Sequence, residues 1–271
     1  MRVAILTSNP RGNAARIAEH LARACERVRI EGAIVDLGTA PDRSRQLRRL
    51  AAWRRHGGLG YLTWRAWLEL VGRLRSRPTA RYAHSLHELS KRYGFQVIEV
   101  PNVNSEAAKI TLLRLRCDLG ISIGNRVIQP DIFSIPRLGT INLHHGSIPD
   151  YRGGPPAFWE LYEGETEMGV SVHWMDAQLD HGPVVATTAV RVLDGDDPKT
   201  LMERAYTVDA KLVAKAVEDI ATGRARPFAA ASAGSSVRTI PSRHQLRELS
   251  KRLQRPIRHD DYRRAGLPEV P

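Results

Sequence analysis

The chain has 271 residues, 42% hydrophobic and 26% charged, which suits one large domain or a main domain with a small appendage and is too apolar for a disordered chain. Its 41 lysines and arginines outnumber 29 acidic residues, and the net charge of +12 favours anionic partners: phosphate, polycarboxylate, nucleic acid or an acidic membrane surface. Cys25 and Cys117 stand in no CxxC or other ligand spacing, which excludes a disulfide scaffold, and no run approaches the ~18 apolar residues of a spanning helix.

MRVAILTSNPRGN opens with too short an apolar run for a signal peptide, so a cytoplasmic protein is expected. RVAILTS (2–8) is a strand closed by the turn-rich SNPRGN, and AARIAEHLARACERV then carries apolar residues at helical spacing. IEGAIVDLG (30–38) completes a β-α-β opening. Residues 41–81 hold eleven arginines against only Asp42 and Glu69, interleaved with Trp53, Trp64, Trp67 and several leucines. An insertion of amphipathic helices with a solvated basic face is the expectation there.

From residue 85 the alternation resumes. SLHELSKRYG reads as a helix, FQVIEVP as a strand, SEAAKITLLRLR as a helix, and DLGISIG (118–124) and LGTINLHHG (138–146) as strands. Repeated β-α-β units predict a Rossmann-like, mostly parallel sheet flanked by helices. PPAFWELYEG opens with prolines suited to a first helical turn. GVSVHWMD and PVVATTAVRV, joined by a tight turn at LDHG, form an antiparallel hairpin added to the sheet. Residues 196–223 are one long helix ended by Gly223. The expected organisation is a catalytic domain over 1–225, with the basic insertion at about 41–81, and a linker and short basic extension over 226–271, helical in HQLRELSKRL.

Residues two apart on a strand face the same way, so Asn142 and His144 point together from the end of LGTINLH. With Asp180 in the LDHG turn they make an amide, an imidazole and a carboxylate, a set suited to acyl transfer, in which an oxyanion is stabilised and protons are moved. Spacing alone leaves the plainer alternative open: a strand cap and an ordinary turn residue. His145, His173, His181 and Asp176 fall in no HExxH or Cys/His spacing, so no metal is expected and these residues are read as supporting or structural. SNPRGN lacks GxGxxG, which argues against a nucleotide cofactor there.

Asn-x-His followed by Gly-Ser-Ile-Pro-Asp-Tyr-Arg-Gly-Gly-x-Pro, then Gly-Val-Ser-Val-His and Leu-Asp-x-Gly-Pro-Val, resembles the formyltransferase family that uses 10-formyltetrahydrofolate. The resemblance is strong over roughly 95–225 and looser over 1–38. It implies a Rossmann-like catalytic domain and carries the family's catalytic triad onto Asn142, His144 and Asp180. It also implies donor contacts at Arg126, Val127 and Ile128, largely through backbone groups, with Asp180 touching the donor as well. Acceptor-site shaping is implied for Ser147, Tyr151, Arg152 and Gly153 in the Gly-rich turn.

The stretch after Gly223 is short for the C-terminal β-barrel of methionyl-tRNA formyltransferases, glycinamide ribonucleotide formyltransferases lack a counterpart of 41–81, and formyltetrahydrofolate hydrolases carry a preceding regulatory domain. Elimination thus leaves a small-molecule primary amine as acceptor, with a nucleotide-linked amino sugar suiting the arginine-rich surface. A hydrolase, a methionyl-tRNA formyltransferase-like enzyme and a noncatalytic nucleic-acid-binding protein are the alternatives, nucleic acid being disfavoured as a partner. A homodimer is compatible with this reading.

Overall fold

On β1 (Arg2–Thr7), Val3 and Ile5 point to one face and Ala4 and Leu6 to the other, and all four are fully buried. A strand covered on both faces belongs inside a sheet flanked by helices. The computed structural model describes residues 1–38, 82, 84–229 and 236–253, with Thr63 and Ala66 as isolated positions. The amphipathic insertion expected at 41–81 otherwise lies outside the described residues, as does 254–271.

The strands are β1, β2 (Arg29–Asp36), β3 (Gln96–Val100), β4 (Leu119–Ile123), β5 (Thr140–His144), β6 (Glu167–Trp174) and β7 (Val184–Arg191). They form one sheet in the order β3-β2-β1-β4-β5-β6-β7. Pairing is parallel from β3 through β5 and antiparallel for β5–β6 and β6–β7. The expected mostly parallel sheet with an added hairpin is therefore what forms. Strand order reverses between β1 and β4, and it is near the carboxyl ends of strands at such a reversal that open α/β sheets build sites.

Helix α1 (Asn13–Ala24) and the long α6 (Pro198–Ala221) cover one face, meeting Val3, Ile5, Ile121 and Ile141. Helices α3 (Glu106–Leu115) and α4 (Pro130–Phe133) cover the other, with Ala4, Leu6 and Ile34. Capping marks several helix starts. Ser85 and Glu88 form a capping box on α2 (Leu86–Tyr93), Asp197 and Thr200 one on α6, and Ser242 and Gln245 one on α7 (Arg243–Arg252). Helix α5 (Phe158–Glu163) packs Phe158 and Trp159 against Leu246, Leu249 and Leu253, so the C-terminal segment seats beside the Gly-rich turn.

One expectation is corrected here. The connection between β6 and β7 is not a tight turn at LDHG but the loop 175–183. The Trp174 amide still donates to the Pro183 carbonyl at 2.9 Å, and the chain folds so closely that a Cβ on Gly182 would lie 2.0 Å from the Trp174 oxygen. The strands thus stay paired to their ends while the loop is free to bulge over the sheet. Helix α4, four residues long with Pro130 in its first turn, is too short to leave a periodic signal and was not expected.

Candidate active site

Strand register assembles the site. Asn142 on β5 pairs with Ser122 on β4 and with His173 on β6, so three polar residues lie side by side across the sheet. The Asn142 amide Nδ2 lies 3.2 Å from His173 Nε2 and donates to Asp180 Oδ1 at 3.4 Å. His144 brings Nδ1 to 3.4 Å from Asp180 Oδ2. Asp180 takes the left-handed region at φ 45°, which a short polar side chain tolerates better than most, and reaches back over the ends of β5 and β6. The Gly153 amide closes the arrangement by donating to Asp180 Oδ2 at 3.0 Å. The three residues expected to act together therefore do converge, with His173 as a fourth member.

Hydrogen-bond distances fix the protons. His173 Nδ1 lies 2.9 Å from the Trp174 carbonyl, to which it donates; its Nε2 accepts from Asn142 when the ring is neutral and donates to Asp180 Oδ1, 3.5 Å away, when it is charged. His144 Nε2 lies 2.7 Å from the Tyr151 carbonyl and donates to it. A neutral ring then turns its Nδ1 lone pair toward Asp180, which fits the longer 3.4 Å contact there; only an imidazolium donates to both acceptors. Burial pulls the His144 imidazole below its ordinary range, against the opposing pull of the Asp180 carboxylate and the Tyr151 carbonyl. Burial pushes the Asp180 carboxyl up, but His173, His144 and the Gly153 N–H together outweigh it and hold the group below its ordinary range. At neutral pH the site holds a carboxylate beside a neutral imidazole.

The remaining expected residues divide. Arg126 makes a 2.6 Å ion pair with buried Asp36 at the end of β2. Ile128 is sunk in the core, while Val127 is exposed and its carbonyl accepts from Asn104 at 2.9 Å. Asn125 anchors this stretch to the Leu6 carbonyl at 2.6 Å and to Ser122 at 3.1 Å, the residue paired with Asn142. The 125–128 stretch therefore borders the triad, with Ile128 able to offer a ligand only its backbone. In the Gly-rich turn the polar groups are largely spent within the protein. The Tyr151 hydroxyl lies 2.8 and 2.7 Å from the Glu163 and Glu165 carboxylates and donates its one hydrogen between them, and Arg152, buried, donates from Nε and Nη2 to the Leu179 carbonyl at 2.9 and 2.7 Å. Ser147 sits against Gly169, where a Cβ would meet its Oγ at 2.1 Å.

His145, just past the end of β5, faces the opposite way and pairs with buried Asp209 of α6 at 2.8 Å, which also accepts from Asn13 at 2.6 Å. His173 was read as supporting or structural. The signal that reveals it is register: once 169–176 pairs with 138–146, His173 is the residue opposite Asn142. Among the described residues no group of three or more His, Cys, Asp or Glu could hold a metal ion.

Residues 92–217 match the family model described as formyl transferase. The methionyl-tRNA formyltransferase of Parabacteroides distasonis is 31% identical over 153 residues, 55% of this chain and 47% of that protein. The chain spans about half the length of such curated relatives. Among solved structures, glycinamide ribonucleotide transformylase 1 of Symbiobacterium toebii superposes with a TM-score of 0.58 at 18% identity, covering 83% of this chain and 89% of the other. A sugar N-formyltransferase from a Shewanella species does so with a TM-score of 0.56 at 15% identity, covering 96% of this chain and 94% of that one. The fold is that of formyltransferases, and the stretch 92–217, which contains Asn142, His144, His173 and Asp180, matches the formyl transferase family.

Proposed function

We propose that the protein transfers a formyl group from 10-formyltetrahydrofolate to a primary amine of a small molecule, with a nucleotide-linked amino sugar as the acceptor. The observation that carries this reading is the meeting of Asn142, His144 and Asp180 within 3.4 Å inside the formyl transferase stretch. The donor's pterin edge, flat and rich in donors and acceptors, suits the backbone run at 125–128, with Val127 exposed and Ile128 offering no side chain. For the acceptor, the net charge of +12 favours an anionic, nucleotide-bearing molecule.

The residues act as follows. The amine nitrogen bonds to the formyl carbon, and the carbonyl electron pair moves onto oxygen. Asn142 offers that oxyanion the hydrogen now held weakly at 3.4 Å by Asp180, and His144, once it has gained a proton, offers as second donor the Nδ1–H on its Asp180 side. Asp180, ionised, accepts the proton the amine sheds, directly or through a water. The carbon–nitrogen bond to the donor then breaks, the oxygen's electron pair returns, and the departing nitrogen takes up the proton that Asp180 accepted, leaving tetrahydrofolate, the N-formyl product and the ionised carboxylate. Nothing is oxidised or reduced.

The test follows tetrahydrofolate release with a panel holding nucleotide-linked amino sugars, glycinamide ribonucleotide, methionyl-tRNA and no amine. Release that depends on the amino sugars is expected; release without any amine identifies a hydrolase instead. His144→Ala and Asp180→Asn are each expected to lose about 10²-fold or more in turnover while keeping the wild-type thermal transition. Near-normal turnover in either variant removes the mechanism. The curated relatives favour one second reading, a methionyl-tRNA acceptor, which the same panel separates.

A further inference from the structure

Arg238 lies beyond the formyl transferase stretch, in the segment that leads into α7, yet it is wired into the loop that grips the site. Its backbone pairs in parallel with Gly153: the Arg238 amide donates to the Arg152 carbonyl at 2.8 Å, and the Gly154 amide donates to the Arg238 carbonyl at 3.2 Å. Gly153 itself, at φ 84°, is where a Cβ would meet the Arg238 oxygen at 2.4 Å, so only glycine allows this approach. The side chain adds a two-pronged ion pair to Glu163, with Nη1–Oε1 at 2.7 Å and Nη2–Oε2 at 3.0 Å. Its guanidinium also lies over the Tyr151 and Trp159 rings, 5.2 and 5.4 Å from their centroids. Trp159 holds the same segment by donating to the Thr239 carbonyl at 3.2 Å.

What Arg238 clamps is the pair of groups that determine the chemistry of the site. Tyr151 supplies the carbonyl that takes the His144 Nε2 proton, and Gly153 supplies the N–H that fixes Asp180. Both residues touch Arg238, one through its ring and the other through the backbone ladder. A shift of the loop by a fraction of an ångström therefore moves a partner of each reacting side chain at once.

We propose that Arg238 is a positioning residue for formyl transfer, holding the 151–154 loop against His144 and Asp180 from outside the catalytic stretch. This rests on the function proposed above. Arginine is needed because its planar fork satisfies both Glu163 oxygens while its face covers two rings; lysine can keep only the charge.

The full chain is compared as wild type, Arg238→Ala and Arg238→Lys, with retention of fold confirmed by thermal denaturation. Two quantities are read: steady-state formyl transfer, and the titration of the His144 ring followed by NMR in the protein without substrates. His144 is faced by Asp180, His173 and His145, which are the same in all three proteins. In Arg238→Ala, kcat is expected to fall roughly 10- to 100-fold, the scale of a misplacement near 1 Å, with the donor KM unchanged. The His144 titration is expected to move toward that of a free imidazole as water reaches the ring, and Arg238→Lys is expected to restore part of both quantities. An unmoved His144 titration in Arg238→Ala overturns the proposal, whether or not kcat falls, because the clamp then does not reach the imidazole. If Arg238→Ala does not fold, Arg238→Lys decides on the same two readings. Should the wild type transfer no formyl group, the functional reading fails, while the titration still decides whether Arg238 holds the loop.

Discussion

Glu160 offers a quantitative test of the packing beside the site. It lies in α5, 2% exposed, with its Oε1 meeting no partner atom. Burial pushes its carboxyl up from the ordinary 4.5 to about 7, with Glu163 and Glu165 adding to the rise and its own backbone N–H and Arg238 opposing it. Between those two pH values the folded protein keeps a proton that the unfolded chain has lost. Stability therefore falls as pH rises through the window from 4.5 to about 7 and levels off above it. At about 1.4 kcal/mol per pH unit, the full penalty is about 3 kcal/mol, of which about 2.5 kcal/mol develops between pH 5 and pH 8. Glu160→Gln keeps the shape and cannot ionise. Urea unfolding of both proteins at pH 5, 6, 7 and 8 measures the difference; glutamine's own amide adds a constant offset, so only the pH-dependent part counts. The variant is expected to gain on the wild type by about 2 to 3 kcal/mol over that range. A difference that stays flat with pH refutes the reasoning, since it means that water or a partner reaches the carboxyl.

Two further outcomes follow from single contacts. Gly153→Ala, which meets both a positive φ and the Arg238 oxygen at 2.4 Å, is expected to cost about 1–3 kcal/mol in urea unfolding and to reduce turnover by displacing the N–H from Asp180; wild-type values for both count against the close approach. Arg204→Ala strips buried Asp196 of two contacts at 2.6 Å and is expected to cost about 3–5 kcal/mol, whereas a loss under about 1 kcal/mol shows that the carboxylate is solvated without it.

The elements most legible in the sequence are those whose surroundings are uniform. Leu119–Ile123 is buried at every position, so its run is apolar apart from Ser122 and reads as an interior strand. Ser85, Pro198 and Ser242 announce helix starts because the groups that cap a helix are neighbours in sequence. The Asn-x-His pair was legible on one side of a strand, which needs only the two-residue period, whereas its grouping with Asp180 as a triad rested on the family resemblance. His173 was not, because its place opposite Asn142 depends on how two strands far apart in sequence align, and a slip of one residue would have turned it to the other face.

Tyr151 and Arg152 show where residue type stops being informative. Both are large polar groups on a glycine-rich turn beside the triad, which made them candidates for the acceptor. The Tyr151 hydroxyl is instead engaged with Glu163 and Glu165, and the Arg152 guanidinium with the Leu179 carbonyl. Those partners sit on α5, just beyond it and in the β6–β7 loop, and are brought in only when the sheet and the C-terminal segment have closed around the turn. Arg238 is the reverse case: it follows a linker-like stretch, carries no motif, and gains its importance from a glycine that permits contact with a remote loop. Sequence therefore names the groups able to do chemistry, while the long-range pairings decide which of them are free to meet a substrate and which are already occupied in holding the others still.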